Sequence, residues 1–230
     1  MAESPISQMP TIMKRRYHTI GNSMRPSGTS RDLFFAGTMA YLRVWHGKAL
    51  SSDEIEILYN NRLVRNMFMI VNNPSYAWDF RNSTASDTVY DLVNGVAARP
   101  ENGTTSTSEG MVFNEAGDYV DITPFELGGA MTIEMYVKQD SIIGWDRLLE
   151  FGDSESSSGG GENNIILLNN SNTSQIQISL KQGTTEINYR SNSSNLLEIN
   201  NWVHLVVTVE NTTSNLYKNG ILDATSTSIW

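Results

Sequence analysis

The chain contains no cysteine. Disulfides, thiolate ligands and cysteine nucleophiles are therefore excluded, and the absence fits assembly in a reducing compartment. Histidine is scarce: His18, His46 and His204 are the three present, and their dispersed spacing makes neither a metal pair nor a triad partner. Basic residues are outnumbered, 16 Lys and Arg against 25 Asp and Glu, for a net charge of −9. A basic stripe able to neutralise phosphates is missing, so nucleic acid is not an expected partner. The densest basic run, Lys14-Arg15-Arg16, is short and is followed by strand-like residues. Long apolar runs are missing too. Stretches such as residues 67–71 are far too short to span a bilayer, so no membrane insertion is expected. Residues 1–11 are polar, carry Glu3, Pro5 and Pro10, and lack the basic-then-apolar order of a signal peptide, which leaves localisation open. Glycosylation sequons fall at Asn82, Asn102, Asn169, Asn172, Asn192 and Asn211, but a chain this rich in Asn, Ser and Thr produces several by chance.

What is present is alternation. The 230 residues suit one large β domain or two small ones, and 39 % hydrophobic with 9 % aromatic content supplies a full core. Met131, Ile133, Met135 and Val137 alternate with Thr132, Glu134 and Tyr136, the pattern of a half-buried strand. Val203, Leu205, Val207 and Val209 define the inward phase of another, which puts His204 on its polar phase. Ile176, Ile178 and Leu180 line a third; residues 165–168 form a short continuous apolar strand, and residues 184–189 follow across Gln182-Gly183. Asn219-Gly220 between apolar flanks predicts a hairpin, since both residues tolerate positive φ. Residues 34–45 read as a strand broken at Gly37. One short helix is expected: Ser51 and Glu54 have capping-box spacing, Ile55, Leu58 and Tyr59 follow at helical spacing, and Arg62 complements the dipole. It is expected to rest on the edge of the sandwich. Residues 101–110 and 154–164, rich in Ser, Thr and Gly, read as mobile loops with too little apolar surface to order them.

Several blocks carry a resemblance. Phe35-Ala-Gly-Thr-Met-Ala-Tyr-Leu-Arg-Val-Trp45, then Ala49-Leu-Ser-Ser-Asp-Glu-Ile55 and Leu58-Tyr59, resembles the closing segment of laminin G-like, concanavalin A-like domains. Trp78-Asp79-Phe80, Val89 to Gly95 and Val112 to Val120 resemble the family's opening. Thr132 to Val137, Trp202 to Val206 and Leu216 to Gly220 resemble its middle strands. The resemblance implies an all-β, two-sheet antiparallel jelly-roll sandwich, here with one short helix. It also implies an unusual order. Residues 11–62 match the family's C-terminal segment, residues 63–73 form a linker, and residues 74–230 match the opening and middle. The chain reads as a single domain over residues 1–230 in circularly permuted order. Such an order closes either within the chain or by strand exchange with a neighbouring copy, because a sandwich lacking strands leaves unpaired edges.

The same family includes glycoside hydrolases, whose acidic residues alternate on one strand so that two carboxylates share a cleft. Here the nearest approach is Glu150, Asp153 and Glu155, spaced three then two around Gly152, which reads as strand-end turn acids; no catalytic residue is expected. Relatives also bind calcium through Asp carboxylates and carbonyls near a rim. Asp118 and Asp121, flanking Tyr119-Val120, are the candidate Ca2+ ligands, with Asp153 and Glu155 beside an acidic loop. Sugars are held by ring stacking with flanking polar groups. Trp45, Trp78 and Trp202 fall in strand-like blocks and read as core, and Tyr119 and Tyr189 have ordinary cross-strand explanations. Trp145 reads as loop-borne and exposed, giving a candidate ligand site of Trp145, Asp146, Asp153 and Asn163; Trp230 ends the chain. The functional expectation is a non-catalytic module for glycan or protein-surface binding. The alternative is a structural subunit of a large assembly, such as a capsid protein of a virion or a cell-surface array, with other protein subunits as partners. A glycoside hydrolase is the third reading.

Overall fold

A computed structural model describes residues 9–23, 34–64, 71, 73–82, 87–115, 117–153, 163–183 and 185–227. In chain order the elements are β1 (Met13–Lys14), β2 (Tyr17–Ile20), β3 (Ala36–His46), α1 (Ser52–Asn60), β4 (Tyr76–Asp79), β5 (Val89–Tyr90), β6 (Ala97–Glu101), β7 (Thr105–Thr107), β8 (Gly110–Phe113), β9 (Tyr119–Ile122), β10 (Glu126–Leu127), β11 (Met131–Ser141), β12 (Arg147–Gly152), β13 (Ile165–Asn169), β14 (Ile176–Gln182), β15 (Thr185–Arg190), β16 (Trp202–Glu210), β17 (Thr213–Lys218) and β18 (Ile221–Ser226). They make two eight-stranded antiparallel sheets face to face. The first runs β18-β17-β16-β11-β3-β8-β7 with β4 also on β3; the second runs β15-β14-β13-β12-β2-β9-β6-β5. β1 and β10 form a separate small ribbon.

The alternation explains the interior. Ile133, Met135 and Val137 of β11 sit beside Val44, Leu42 and Met39 of β3 and Val207, Leu205 and Val203 of β16. All nine face Ile20, Leu149, Phe151, Ile165, Leu167 and Ile178 of the second sheet in one core. Side chains on a strand alternate faces, so the apolar phase of each strand decides which side is inward. β1, β2 and β3 are integrated here: β2 pairs with β12 and β9, β3 with β11, β4 and β8, and β1 with β10.

The outer face of the first sheet departs from the half-buried expectation. Thr132, Glu134, His204, Val206 and Thr208 are all buried. One reason is α1, which reaches the edge strand β18 and packs Ile55 and Leu58 with Leu50 on Trp45, Val206 and Tyr217; the segment before it covers Thr132, whose hydroxyl accepts from Leu50 N and donates to the Lys48 carbonyl. Its start has the expected capping box: Ser51 Oγ accepts from Glu54 N, and Glu54 Oε2 accepts from Ser51 N at 2.8 Å. Arg62 donates to the Tyr59 carbonyl at 2.8 Å, satisfying a group at the helix end.

Local chemistry accounts for two further departures. Gly37 does not break β3; it lies inside the strand, because a Cβ there would come within 2.2 Å of the Lys138 carbonyl. Residues 101–110 are not one mobile loop: β7 pairs with β8 between two turns, and Thr104 Oγ1 donates to the carbonyls of Glu101 and Tyr119. The Asn219-Gly220 hairpin has the expected positive φ at both residues, 51° and 81°. Most of the linker 63–73 and of the loop 154–164, together with Glu155 and Trp230, lies outside the described residues.

Candidate functional site

The β11–β12 connection positions the expected aromatic. Trp145 sits at its tip in the left-handed region, φ 56°, and its backbone N–H donates to the Ser171 carbonyl at 3.1 Å. Its side chain is 40 % exposed, with Ile143 exposed beside it. Holding a bulky residue in this region costs on the order of 1–3 kcal/mol and persists only where the surroundings over-determine it.

Asp146 supplies that determination. It is wholly buried, and its carboxylate accepts from the backbone N–H groups of Ile143 and Gly144 and from Gln139 Nε2 at 2.9 Å. Asn169 Nδ2 donates to the Gln139 side chain at 3.0 Å, tying the cluster to β13. Burial pushes the Asp146 carboxyl above its usual range, against the opposing effect of these hydrogen bonds. Asp146 is therefore a buried anchor beneath Trp145, not a group presented to a ligand, which corrects its expected place in the site. The Asn170-Ser171-Asn172-Thr173 turn lies against the tip. Asn172 and Thr173 are exposed, and a Cβ on Gly144 would lie 2.2 Å from Asn172 Oδ1. The apex thus presents one indole beside uncharged amides and a hydroxyl.

The other two expected ligand residues lie elsewhere. Asp153 follows the far end of β12, so the length of that strand separates it from Trp145. Asn163 Nδ2 donates to Asp153 Oδ2 at 3.2 Å, while the Asn163 carbonyl accepts from Arg15 Nε. The structure therefore brings Asp153 and Asn163 together, and Trp145 and Asp146 together, but does not join the two pairs. Arg15 itself is buried, its guanidinium donating also to the Leu127 and Thr11 carbonyls. Burial lowers its pKa to about 10, partly countered by Asp153. The middle of the basic run is thus an internal clamp, unavailable to a polyanion.

The candidate calcium ligands have different roles. Asp118 is buried, and its carboxylate accepts from the backbone N–H groups of Gly103, Asn114 and Glu115 at 2.9–3.0 Å, closing two loops on each other. Asp121 lies half-buried on β9 between Thr19 and Arg99 of the neighbouring strands. Burial raises its pKa, against Arg99. Among the described residues no three His, Asp or Glu side chains gather as a metal site.

Glu150 also differs from its expected place at a strand end. It lies within β12, buried on the outer face of the second sheet, paired with Arg147 Nε at 3.3 Å and accepting from Asn164 Nδ2 at 3.1 Å. Registration puts Asp121, Thr19 and Glu150 in one row across three strands, a grouping set by long-range pairing that the local spacing of acids could not reveal.

Sequence reasoning missed a second polar assembly. On the outer face of the first sheet, Glu134 accepts from Tyr41 Oη and Arg43 Nη1, each at 3.1 Å, and lies 2.9 Å from His204 Nε2. Burial works against the Glu134 charge, but Arg43 and the His204 hydrogen bond outweigh it and hold the carboxyl below its usual range. His204 is accordingly buried, not on a solvated polar phase. The signal available was Arg43, Glu134 and His204 at outward positions of three strands, Glu134 level with Arg43 and His204 level with Tyr136, legible only once their registers are known.

Two antiparallel sheets packed face to face around one core define a concanavalin A-like sandwich. The family model of the concanavalin A-like lectin/glucanases superfamily, in its laminin G-like branch, matches residues 114–229, about half of the chain, and the chain belongs to this superfamily. No curated protein and no solved structure matches the chain. Membership supports a binding module in general.

Proposed function

We propose that the chain is a non-catalytic recognition module that binds a neutral glycan at the apex formed by Trp145 and the Asn170–Thr173 turn. The observation that carries this reading is Trp145 itself: a large aromatic held in a left-handed conformation and exposed, with a buried carboxylate spent on fixing it. An exposed indole offers a face to sugar C–H groups, and the neighbouring amides and hydroxyl can exchange hydrogen bonds with sugar hydroxyls. The burial of Glu150 and its engagement by Arg147 and Asn164 argue against its use as a hydrolytic acid or nucleophile. We read residues 1–230 as one laminin G-like domain in permuted order, supported by the pairing of β1, β2 and β3 with strands from residues 76–152. The test is a glycan array probed with the parent chain and with Trp145→Ala. Selective binding lost in the variant supports the reading; equal binding by both, or none by the parent, refutes it.

A structural-subunit reading is favoured by a different observation. Tyr90 at the end of β5 and Leu92 and Val93 in the β5–β6 turn are 61, 55 and 44 % exposed, an apolar group suited to a subunit contact. A chain that stays monomeric at high concentration in solution would remove this alternative.

A further inference from the structure

A strand at the end of a sheet presents unpaired N–H and C=O groups, a template for another strand unless it is short or covered. In the first sheet β7 is three residues long, and on β4 the Ala77 carbonyl accepts from Leu92 N–H while Ala77 N–H donates to Asp91 Oδ1. At the other end β18 is closed at Asp223. Its carbonyl accepts from Asn192 Nδ2, and its carboxylate accepts from the Asn192 backbone N–H at 2.8 Å. The second sheet ends at β5, two residues long, and at β15. β15 is the exception. It runs six residues in unbroken register on β14, contains no proline, glycine or bulge, and has no partner on its free side among the described strands.

The backbone phase of β15 is fixed by two hydrogen bonds. Ser191 N–H donates to the Ile176 carbonyl, and Lys181 N–H turns away from β15 to the Asn164 carbonyl. Bonded and non-bonded pairs alternate along an antiparallel ladder, so Glu186, Asn188 and Arg190 direct their N–H and C=O groups to the free side. Their side chains share the outer face of the sheet and are exposed: Glu186 Oε1 accepts from Ser179 Oγ at 2.8 Å, and Arg190 Nε donates to Gln177 Oε1 at 3.0 Å.

This edge is complementary to itself in one register. Two copies of β15 meeting antiparallel about a twofold axis could centre on any residue from Glu186 to Arg190. Centring on Glu186 or on Arg190 sets like charges opposite each other. Centring on Ile187 or Tyr189 sets each charge opposite an uncharged residue. Centring on Asn188 sets Glu186 opposite the partner's Arg190, and Arg190 opposite the partner's Glu186. Opposite charges facing across strands are favourable and like charges are not, so charge selects the Asn188 register. In that register every outward N–H and C=O of the three residues meets its complement. On the inner face Ile187, half-buried at the rim of the core, meets the partner's Tyr189.

We propose that β15 is a homodimer edge, at which two copies of this chain join their second sheets into one continuous sheet with Asn188 on the twofold axis. Each sandwich keeps all its own strands, so finished domains pair and nothing is exchanged. The contact is one strand wide, so the dimer is reversible and concentration-dependent rather than permanent.

The experiment is sedimentation equilibrium of the full chain over a concentration series, with charge variants of the edge. The parent should dimerise. Glu186→Arg and Arg190→Glu each set like charges opposite one another twice, and each should weaken self-association about tenfold. Both residues are exposed, so the melting transition should stay in place. Mixing the two variants should restore dimerisation, because only the mixed pair has opposite charges at both contacts. Leu92→Asp, at the far end of the same sheet, should dimerise like the parent. The register is read by oxidation, since the chain has no cysteine of its own. Asn188→Cys should form a covalent dimer, because paired Cα atoms about 5.5 Å apart suit a disulfide. Thr185→Cys should not, its two copies lying about 20 Å apart along the strands. A parent that remains monomeric up to about 1 mM would overturn the proposal. So would a dimer indifferent to the charge variants, mixed variants that fail to associate, or equal cross-linking at positions 185 and 188.

Discussion

Mild acid should weaken this fold through one histidine. His18 lies on β2 facing the interior, 0 % exposed, between Phe125 at 4.4 Å and Phe151 at 4.6 Å. Neither ring nitrogen has a hydrogen-bond partner among the described residues. Burial, then the charges of Arg15 and Lys14, lower its pKa to about 3. The native state therefore refuses a proton that the unfolded chain accepts near pH 6.5. Above that pH the side chain is neutral in both states and nothing is lost. As pH falls from 6.5 toward 3 only the unfolded state gains a proton, so stability declines by about 1.4 kcal/mol per unit. By pH 4 the loss is about 3 kcal/mol, a large fraction of a typical 5–15 kcal/mol. The assay is urea denaturation at pH 7, 5.5 and 4 for the parent and His18→Leu, using the difference between them to remove slopes common to both. The variant should be the more stable at pH 7, by about 1–3 kcal/mol, because two unpaired buried nitrogens are removed. Its advantage should widen by about 3 kcal/mol at pH 4. Parallel pH dependences for the two chains would refute the argument, since the histidine would then titrate alike folded and unfolded.

Other consequences can be measured on the same footing. Trp145→Gly should raise stability by about 1 kcal/mol while abolishing glycan binding, because glycine accepts the left-handed conformation without strain; a stability loss would mean the indole serves packing. Leu205→Asp should prevent folding, since an unpaired buried carboxylate costs several kcal/mol. His204→Ala should cost about 1–3 kcal/mol by removing one of the three side chains that hold Glu134, and an unchanged melting temperature would place that histidine outside the buried network. Asp118→Ala should destabilise by about 1–3 kcal/mol equally with calcium or with a chelator present, because three backbone N–H groups lose their acceptor; calcium-dependent melting of the parent would show instead that the carboxylate holds a metal.

Much of the fold was legible because strands and turns announce themselves locally. The alternation through Met131–Val137 and Val203–Val209, the Ser51–Glu54 box and Asn219-Gly220 each encode an element without reference to distant residues. The exposure of Trp145 was legible for the same reason, as an aromatic in a Gly-containing turn. What was not legible depended on partners far away in sequence. His204 and Glu134 look like solvated polar positions until Tyr59 of α1 is set against His204 and β3 brings Arg43 alongside Glu134. Asp146 and Asp118 look like available carboxylates until the backbone N–H groups that surround them are known. The expected site joined Trp145 to Asp153 because they are close in sequence, yet an extended strand carries its ends apart at about 3.3 Å per residue.

The central claim is that Trp145 contacts the glycan. The most direct test is the set of indole Nε1–H resonances in a 1H–15N NMR spectrum of the full chain, with the Trp145 signal assigned by its disappearance in Trp145→Gly. On titration with a glycan selected from the array, the Trp145 resonance should shift in a saturable way while those of buried Trp45 and Trp78 stay fixed. A bound glycan that leaves the Trp145 resonance unmoved would contradict the account.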